Sequence, residues 1–387
     1  MFSGGLSRKE RIERSIPFIL GVVVLLIYNA LLSDTKKKEE PILHECGDYR
    51  YRLKEDGTAM ITAYLNDEKW PFIPAELDGH AVTGIGDRAF SGSFITDIKI
   101  PNSITYTEGN PFAGGENSPR VIIAPDHPTL EIVDDVLFNK VEKTLVAYMR
   151  RGESGYQIPE GIKSIGNSAF IENAALTSVR IPDGVTSIGS YAFADCPSLS
   201  EINIPDSVAS IGRGAFVSCE SLTGLIIPES VTSIDSRAFF NCTSLTSMTI
   251  PDRVVEIKYE TFALCGSLAE VVLPDSLTAI GEMAFSGCDS LTDIVIPDSV
   301  TSIGKNTFSH CTGFTSVVIP EGVTAIGDEA FSNCSNLTSV TLPKTLTSIG
   351  SDAFKGCPEM LAFTVPRDSW AETWCVENGG SYTYSKE

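Results

Sequence analysis

The sequence predicts a solenoid, a coil of stacked turns, because one period governs residues 157–366. Proline recurs there every 23 residues without a slip, and isoleucine and phenylalanine recur at the same spacing. The columns run from Pro159 to Pro366, from Ile165 to Ile349 and from Phe170 to Phe354. A fixed period of about 20–29 residues with leading aliphatic side chains is typical of a leucine-rich repeat solenoid. This architecture narrows the function to binding or display.

Each predicted turn contains two short extended segments. Val179–Ile181 alternates like a strand, and Pro182 ends it because proline cannot donate a hydrogen bond to a ladder. Val185–Ile188 is predicted to form the second segment. Gly189 then opens a bend, and Ala192–Phe193 is predicted to lie in a short helical or 3₁₀ segment. The predicted fold is a stack of 23-residue turns with a parallel β-sheet on one face, and short strands and helical turns elsewhere.

Stacking of the turns is predicted to give one shared core. Stacked strands lie about 4.8 Å apart, so each apolar column becomes a continuous row through that core.

The bend after the second segment shows two departures from the pattern. Asp235 and Lys258 stand where other turns carry the glycine of the bend. We interpret both residues as variants that an exposed bend tolerates.

The charge of the chain is uneven. The whole sequence contains 29 Lys and Arg residues and 50 Asp and Glu residues, of which residues 1–40 contain 7 and 5. The remaining residues therefore carry a net charge of −23. An acidic body of this kind argues against nucleic acid or an anionic membrane surface as a partner.

Residues 16–32 form a 17-residue, predominantly apolar segment that is predicted to be a transmembrane anchor. As a helix it would rise about 25 Å, which is the short end of what a bilayer requires. The alternative is a cleaved signal peptide, but Asn29–Ser33 makes a poor cleavage site. Residues 1–15 are then a cytoplasmic N-terminus and residues 33–48 a linker. A small excess of Lys and Arg before the segment predicts a single-pass protein of the cell membrane with an extracellular repeat domain.

The solenoid is predicted to span residues 76–366 between two caps. Residues 49–75 form an N-terminal β-hairpin cap, because Lys54–Gly57 separates two alternating segments as a hairpin turn would. Residues 367–387 form the C-terminal cap, in which Ser369–Glu372 fits the capping box of a helix.

The C-terminal cap is predicted to contain one helix and one strand. Gly379 is expected to end the helix, and Ser381–Tyr384 is expected to form the final strand. Trp370 and Trp374 lie four residues apart on one helix face, which we expect to face the last coil.

The period is lost in an irregular insertion at about residues 106–156. Val133–Phe138 and Thr144–Tyr148 are predicted to pair as strands around Asn139–Lys143. Because insertions in solenoids map to loops on one face, we interpret this stretch as a longer, hairpin-bearing turn. An inserted subdomain with a role of its own is the alternative.

Residues 48–387 resemble the BspA-type leucine-rich repeat proteins. Ile181–Cys196 is the cleanest copy of the repeat, and Asp56–Tyr64 and Asp134–Asn139 resemble the cap and the insertion of that family. The resemblance implies a cell-surface protein similar to those of anaerobic and gut bacteria and of some mucosal protists. It implies adhesion to host or microbial proteins in some members, and no catalytic residues.

Cysteine forms a further column of the repeat. Its members are Cys196, Cys219, Cys242, Cys265, Cys288, Cys311, Cys334 and Cys357. Zinc requires four converging ligands, which parallel side chains do not supply. A disulfide requires Cβ atoms about 3.8 Å apart, whereas ladder neighbours lie about 4.8 Å apart. We therefore predict buried free thiols that act as small apolar fillers, with no metal and no cofactor.

An acidic column follows the prolines. Its members are Glu160, Asp183, Asp206, Glu229, Asp252, Asp275, Asp298 and Glu321. Calcium between neighbouring carboxylates would relieve their mutual repulsion. The favoured alternative is that each acid accepts hydrogen bonds from nearby backbone N–H groups of the turn.

The strand face is the usual binding surface of a solenoid. Its predicted outward positions, taken as candidate ligand-binding residues, are Arg180, Glu201, Asn203, Ile226, Thr249, Glu270, Val272, Asp293, Val295 and Val318. The four aliphatic members form an apolar stripe that Thr249 interrupts, and such a stripe with a polar rim is a candidate protein-binding patch. The alternative is that these β-branched residues merely suit a strand.

The sequence carries no motif for catalysis. It contains four histidines, and neither a Gly-x-Ser-x-Gly elbow nor a His-Glu-x-x-His motif. We therefore expect a non-enzymatic, membrane-anchored protein, held by residues 16–32, that binds a protein or glycan on a host or neighbouring cell surface. The alternative is a structural or envelope scaffold without a dedicated ligand.

Overall fold

Short strands joined by turns build the structure. The computed structural model describes residues 41–115 and 119–385. The predicted transmembrane segment, residues 16–32, lies outside the described residues. Within the described ranges, no helix combines the length and the apolar character needed to cross a bilayer. The fold described below belongs to the compact unit that begins at His44.

The strands fall into an irregular N-terminal group and a regular group. The first group is β1 His44–Cys46, β2 Tyr49–Leu53, β3 Ala59–Tyr64, β4 Glu76–Leu77, β5 His80–Ile85, β6 Asp97–Ile100, β7 Tyr106–Thr107, β8 Arg120–Ile123, β9 Leu130–Val133, β10 Val136–Asn139 and β11 Thr144–Tyr148. The second group is β12 Gly155–Gln157, β13 Ser164–Ile165, β14 Ser178–Arg180, β15 Ser187–Ile188, β16 Glu201–Ile202, β17 Ser210–Ile211, β18 Ser233–Ile234, β19 Ser247–Thr249, β20 Glu256–Ile257, β21 Glu270–Val272, β22 Ala279–Ile280, β23 Ser302–Ile303, β24 Ser316–Val318, β25 Ala325–Ile326, β26 Ser339–Thr341, β27 Ser348–Ile349, β28 Ala362–Val365 and β29 Ser381–Tyr384. Helix α1, Trp370–Glu377, lies between the last two strands.

Each regular turn has three sides. The strand face carries β14 and its equivalents, which pair in parallel with the strands of neighbouring turns. The second side, which we name the isoleucine side, carries two-residue strands such as β15, also paired in parallel. The strand predicted at Val179–Ile181 is confirmed, with both ends one residue earlier, at Ser178–Arg180. Of the second predicted segment, only Ser187–Ile188 is a strand.

A row of stacked phenylalanine rings fills the core. From Phe170 to Phe354, neighbouring ring centroids lie 4.9–5.6 Å apart and neighbouring planes differ by 20° or less. Tyr148 extends the row at one end, with its centroid 4.9 Å from that of Phe170. Burying an aromatic side chain contributes about 1.5–3 kcal/mol, and the ring contacts add about 0.5–1.5 kcal/mol each. The repeated phenylalanine therefore stabilises every boundary between turns.

The third side, which we name the phenylalanine side, is not helical. The predicted helical or 3₁₀ segment at Ala192–Phe193 is wrong. Tyr191, Phe193 and Asp195 each donate their backbone N–H to a carbonyl of the next turn, at 2.8 Å. A helix would bond these groups within itself, so this pattern excludes one. The conformation also differs, because Tyr191 and Asp195 have φ of 56° and 54°, in the left-handed region.

Glycine at the bend of the isoleucine side marks a close contact between turns. A Cβ atom on Gly189 would lie 2.6 Å from the carbonyl carbon of Gly166 in the preceding turn. Asp235 and Lys258 carry side chains at this position, and the strands beside them, β18 and β20, do not pair. We attribute this break in the ladder to their two Cβ atoms. The sequence interpretation is corrected accordingly: the bend is a backbone contact, and these residues alter it.

The stretch in which the period is lost contains one ordinary turn and one hairpin. Phe112 belongs to the ordinary turn, since its ring stacks on Phe90 at 5.8 Å. Asn110 donates its N–H to the carbonyl of Asn167 at 3.0 Å, which joins this turn directly to the first regular one. Strands β9, β10 and β11 pair antiparallel, and β11 then pairs in parallel with β13. The predicted strand pair therefore forms, and it joins the solenoid sheet.

The hairpin of β10 and β11 separates two hydrophobic cores. Phe138 and Leu145 contact the main core, which continues to the C-terminus. Leu137 and Val146 contact a separate N-terminal core. All four side chains are buried, because strands with alternating faces can serve a core on each side.

This hairpin repeats the arrangement of the N-terminal one. Strands β2 and β3 pair antiparallel and β3 pairs in parallel with β5, as β11 does with β13. Tyr64 donates its N–H to Ala89 at 2.7 Å, and Tyr148 donates to Ala169 at 2.8 Å. Each hairpin therefore covers the open end of the coil that follows it.

The C-terminal helix is capped as predicted. The Ser369 hydroxyl accepts the N–H of Glu372 at 3.1 Å, and Asn378 is the C-cap residue. The final strand pairs in parallel with β28. Trp374 packs against Phe363, with ring centroids 5.6 Å apart, whereas Trp370 is exposed. The expectation that both tryptophans face the last coil is thus wrong for Trp370.

Candidate binding surface

The ten residues predicted as candidate ligand-binding residues all lie on the strand-face side of the coil and are exposed. The exposed fraction of the residue is 87% for Ile226, 77% for Val295, 63% for Val318 and 49% for Val272. The residues between them point inward, because side chains alternate along an extended chain. The apolar stripe is therefore present at the surface, with acidic side chains beside it.

Asn203 has a structural task that the sequence did not reveal. Its side-chain amide donates to the carbonyl of Ile181 at 2.8 Å and accepts the N–H of the same residue at 2.8 Å. The side-chain amide thus makes the hydrogen bonds to Ile181 that a backbone pair would make if β16 continued beyond Ile202. Asn203 is the weakest of the ten candidates, because a partner would have to break these bonds.

The strand face is interrupted at two turns. Residues 224–226 and 293–295 form no strand, so the predicted strands are absent there. The two turns begin with Gly224 and Asp293, residue types that disfavour strands. Gly155 and Asp97 nevertheless begin paired strands at the corresponding position, so the interruption also depends on the neighbouring turns. The two most exposed residues of the apolar stripe, Ile226 and Val295, lie in these interruptions.

Two shallow grooves follow this surface. One, of about 850 Å³, contains Gln157, Arg180 and Glu201. The next, of about 840 Å³, contains Ile226 and Thr249. These volumes fall within the range of about 300–1,000 Å³ that is usual for ligand sites, but both grooves are open to solvent. Such a surface suits a macromolecule better than an enclosed small molecule.

The strand face continues into the N-terminal turns, which the sequence reasoning missed. Its further outward residues are Trp70, Phe72, Asp97, Lys99, Arg120 and Ile122. Trp70 and Phe72 are 71% and 82% exposed, and with Ile122 they line a mostly apolar pocket of about 430 Å³. The signal lay in Ile73–Pro74 and Ile100–Pro101, which mark the same outward positions as Ile181–Pro182 does.

The cysteine column is buried in the core. Seven of its eight members are buried, and Cys357 is half-buried. The Cys265 thiol donates to the carbonyl of Phe239 at 3.1 Å, and the same bond to the corresponding phenylalanine recurs along the column. Burial raises the pKa of Cys265 to about 12, so this thiol stays protonated. The prediction of small buried thiols is confirmed.

The acidic column joins neighbouring turns in places. The Glu229 carboxylate accepts the N–H of Asp252 at 3.2 Å, and that of Glu321 accepts the N–H of Lys344 at 3.0 Å. These bonds agree with the favoured interpretation, although the donors lie one turn away. Across residues 41–115 and 119–385, no three His, Cys, Asp or Glu side chains converge as metal ligands would.

A coil of stacked turns with an exposed strand face defines the class of leucine-rich repeat proteins that bind or organise other molecules. The family model described as "BspA type Leucine rich repeat region" matches six copies in this chain, over residues 77–147, 146–269 and 255–371. The chain belongs to this family of leucine-rich repeat proteins.

Several solved structures are similar to this chain. A leucine-rich cell surface protein from Faecalibacterium prausnitzii is 26% identical, with 89% of this chain and 99% of that chain covered and a TM-score of 0.46. A leucine-rich repeat protein from Bacteroides ovatus is 25% identical, with 89% and 100% covered and a TM-score of 0.46. The pneumococcal vaccine antigen PcpA is 16% identical, with 90% and 99% covered and a TM-score of 0.37. No curated protein matches the sequence.

Proposed function

We propose that this chain is a membrane-anchored, surface-displayed protein that binds a protein partner through its strand face. The observation that carries the proposal is the apolar stripe, in which Ile226 and Val295 are 87% and 77% exposed. Aliphatic side chains exposed in this way lose contact with water when a partner covers them, at about 25 cal/mol per Å². A stripe of this kind with a polar rim is typical of a protein-binding site.

The charged residues beside the stripe indicate which charge the proposed partner carries. Glu201, Glu270 and Asp293 are exposed beside it, and Arg180 lies at one end. Complementary charge speeds the encounter of two proteins and selects against wrong partners. The proposed partner therefore presents an apolar surface with a basic rim, on a host or neighbouring cell.

The binding proposal is tested with Val295→Lys combined with Val318→Lys in the full-length protein. Beads that carry this variant should adhere to matrix-coated and mucus-coated surfaces at least about tenfold less than beads that carry the natural protein. The reason is that lysine at the centre of an interface leaves a charge without a partner. The matched control is Val255→Lys, because Val255 is 53% exposed on another side of the coil. Adhesion unchanged by the double variant would refute this face and favour the scaffold that the sequence leaves as the alternative.

The anchor is tested separately, because residues 16–32 are proposed to span the membrane. The full chain should remain with membranes during alkaline carbonate extraction, and a variant without residues 16–32 should be released. Protease added to intact cells should cleave the repeats, since the proposal places them outside. Release of the full chain, or protection of the repeats, would contradict the respective part of the proposal.

A further inference from the structure

The pocket beside Trp70 is built from residues that the backbone holds firmly. Phe72 and Lys99 form a parallel bridge, and Lys99 pairs with Ile122 in β8, so the three side chains stand in one row. The buried Tyr49 donates its hydroxyl to the carbonyl of Phe72 at 2.8 Å. Binding to such a preorganised site costs little ordering of the protein.

Trp70 is also held in place, although most of it is exposed. Its indole N–H donates to the Asp97 carboxylate at 3.1 Å, and the same carboxylate accepts from Arg120 at 2.7 Å and from Thr96 at 3.0 Å. The hydrogen bond from Arg120 lowers the pKa of Asp97, so this carboxylate stays ionised. A fixed, exposed tryptophan beside a second aromatic residue is the usual anchor of a binding hot spot.

The free charge at the pocket is positive. Asp97 is engaged by its three donors, whereas the Lys99 side chain is exposed and forms no hydrogen bond or ion pair with the described residues. Arg120 bonds Asp97 through Nε alone, and its side chain is 73% exposed, so its terminal nitrogens remain available. Lys99 and the terminal nitrogens of Arg120 thus offer positive charge in a body with a net charge of −23.

We propose that this pocket binds an acidic peptide segment, taking a large apolar side chain between Phe72 and Ile122 and a neighbouring carboxylate at Lys99 and Arg120. The site lies in the N-terminal turns and is independent of the stripe from Ile226 to Val318. Charge complementarity selects the acidic segment, because the rest of the protein repels anions.

The lining favours a peptide over a sugar. Apart from Lys99, Asp97 and Ser103, it consists of apolar side chains and proline rings, among them Pro71, Ile73 and Pro101. A sugar ring would leave hydroxyl groups unpaired there, at a cost of about 1–3 kcal/mol for each buried group. An aliphatic or aromatic side chain has no such groups and gains the full benefit of burial.

The test is a fluorescence anisotropy titration of the full-length protein with fluorescein-labelled Gly-Ser peptides. The peptides contain a central Glu-Phe-Glu, Glu-Ala-Glu or Lys-Phe-Lys. The first should bind at least about tenfold more tightly than the other two, because it alone has both the apolar anchor and the negative charge. Its affinity should fall when the ionic strength rises from about 0.1 M to about 1 M.

Variants locate the binding. Phe72→Ser and Lys99→Glu should each weaken binding of the Glu-Phe-Glu peptide by about tenfold. The matched controls are Val141→Ser, at a residue 66% exposed away from the pocket, and Lys140→Glu. Val295→Lys with Val318→Lys should leave peptide binding unchanged, which separates this site from the proposed strand-face site.

Defined outcomes would overturn the inference. These are absence of binding by the Glu-Phe-Glu peptide, equal binding by the Lys-Phe-Lys peptide, and binding that Phe72→Ser does not weaken. Binding of a neutral oligosaccharide that displaces the peptide and depends on Trp70 would also overturn it, in favour of a sugar site.

Discussion

Lys258 and Asp235, the two residues that replace the glycine of the bend, form an ion pair with Nζ 3.1 Å from Oδ1. A second pair, Arg237 with Glu260, joins the same two turns, and its side chains are only 4% and 9% exposed. The Arg237 guanidinium also lies over the Tyr259 ring, 5.3 Å from its centroid. Ion pairs thus connect the turns where strands β18 and β20 do not pair.

The buried pair should matter far more than the exposed one. Arg237→Met leaves the Glu260 carboxylate buried without its partner, and we expect the free energy of unfolding to fall by about 3–5 kcal/mol. Arg237→Met with Glu260→Leu should cost less than Arg237→Met alone, because no charge remains buried. Urea denaturation followed by circular dichroism measures these differences. Lys258→Met is the control, and its free energy of unfolding should fall by about 0.2–1 kcal/mol. Equal losses for Arg237→Met and Lys258→Met would show that burial does not decide how much each ion pair contributes to stability.

A methyl group added in the glycine column should cost stability where the turns touch. A Cβ atom on Gly327 would lie 2.7 Å from the carbonyl carbon of Gly304. Gly327→Ala is therefore expected to lower the free energy of unfolding by about 1–3 kcal/mol, because the turns must move apart. The control is Gly266→Ala, since no atom lies within 4 Å of its added Cβ. If the two variants unfold at the same urea concentration, close contact is not the reason for the glycine column.

The cysteines should differ sharply in reactivity. Cys357 is the half-buried member of the column, so a reagent can reach its sulfur in the folded protein. Burial raises the pKa of Cys265 to about 12, so its thiolate is scarce and shielded. Iodoacetamide at neutral pH should alkylate Cys357 in the folded protein and Cys265 only after unfolding, because the thiolate is the nucleophile. Mass spectrometry of tryptic peptides follows both sites, and comparable rates for them in the folded protein would contradict the assignment.

Asp87 should destabilise the fold at neutral pH. Its Oδ2 accepts the Ser168 hydroxyl at 3.0 Å, whereas its Oδ1 is buried without a partner among the described residues. Burial raises the pKa of Asp87 to about 6. The folded state therefore binds this proton more tightly than the unfolded state, whose pKa is about 3.9, and the contribution of Asp87 to stability is lost as pH rises through about 6.

Asp87→Asn tests this dependence. The variant should exceed the natural protein in free energy of unfolding by about 1–2 kcal/mol at pH 7.5, and by little or nothing at pH 4. Urea denaturation at both pH values gives the difference, with the exposed Asp126→Asn as the matched control. A gain of the same size at pH 4 would mean that protonation of Asp87 is not its cause.

The periodic part of the fold could be predicted because each column of the sequence reports burial directly. Phe193 and Ile188 are 0% and 1% exposed, as their repetition indicates. The outward positions followed from the same register, which is why Ile226 and Val295 are exposed as expected. Those positions show which residues a partner could reach, and they leave its identity open.

Features that depend on contacts between turns could not be predicted from a single copy of the repeat. The residues Ala192–Phe193 fit a helical segment by composition, but Phe193 and its neighbours Tyr191 and Asp195 bond to the next turn instead. The absent strand at residues 293–295 likewise depends on pairing with the turns beside it. Trp70 and Phe72 were not predicted as outward residues, because their turn lacks the cysteine that marks the register of the later repeats.

The second hairpin, β10 with β11, gives the coil a second beginning. The regular array starts afresh beside Tyr148, on a core of its own. Whole turns could therefore be added or lost downstream without disturbing the N-terminal core or the pocket at Trp70. The length of the molecule becomes adjustable in steps of one layer, about 4.8 Å each, while the pocket keeps its shape. A change in the number of turns would thus alter the reach of the array and leave the pocket, where we propose that a peptide binds, unaltered.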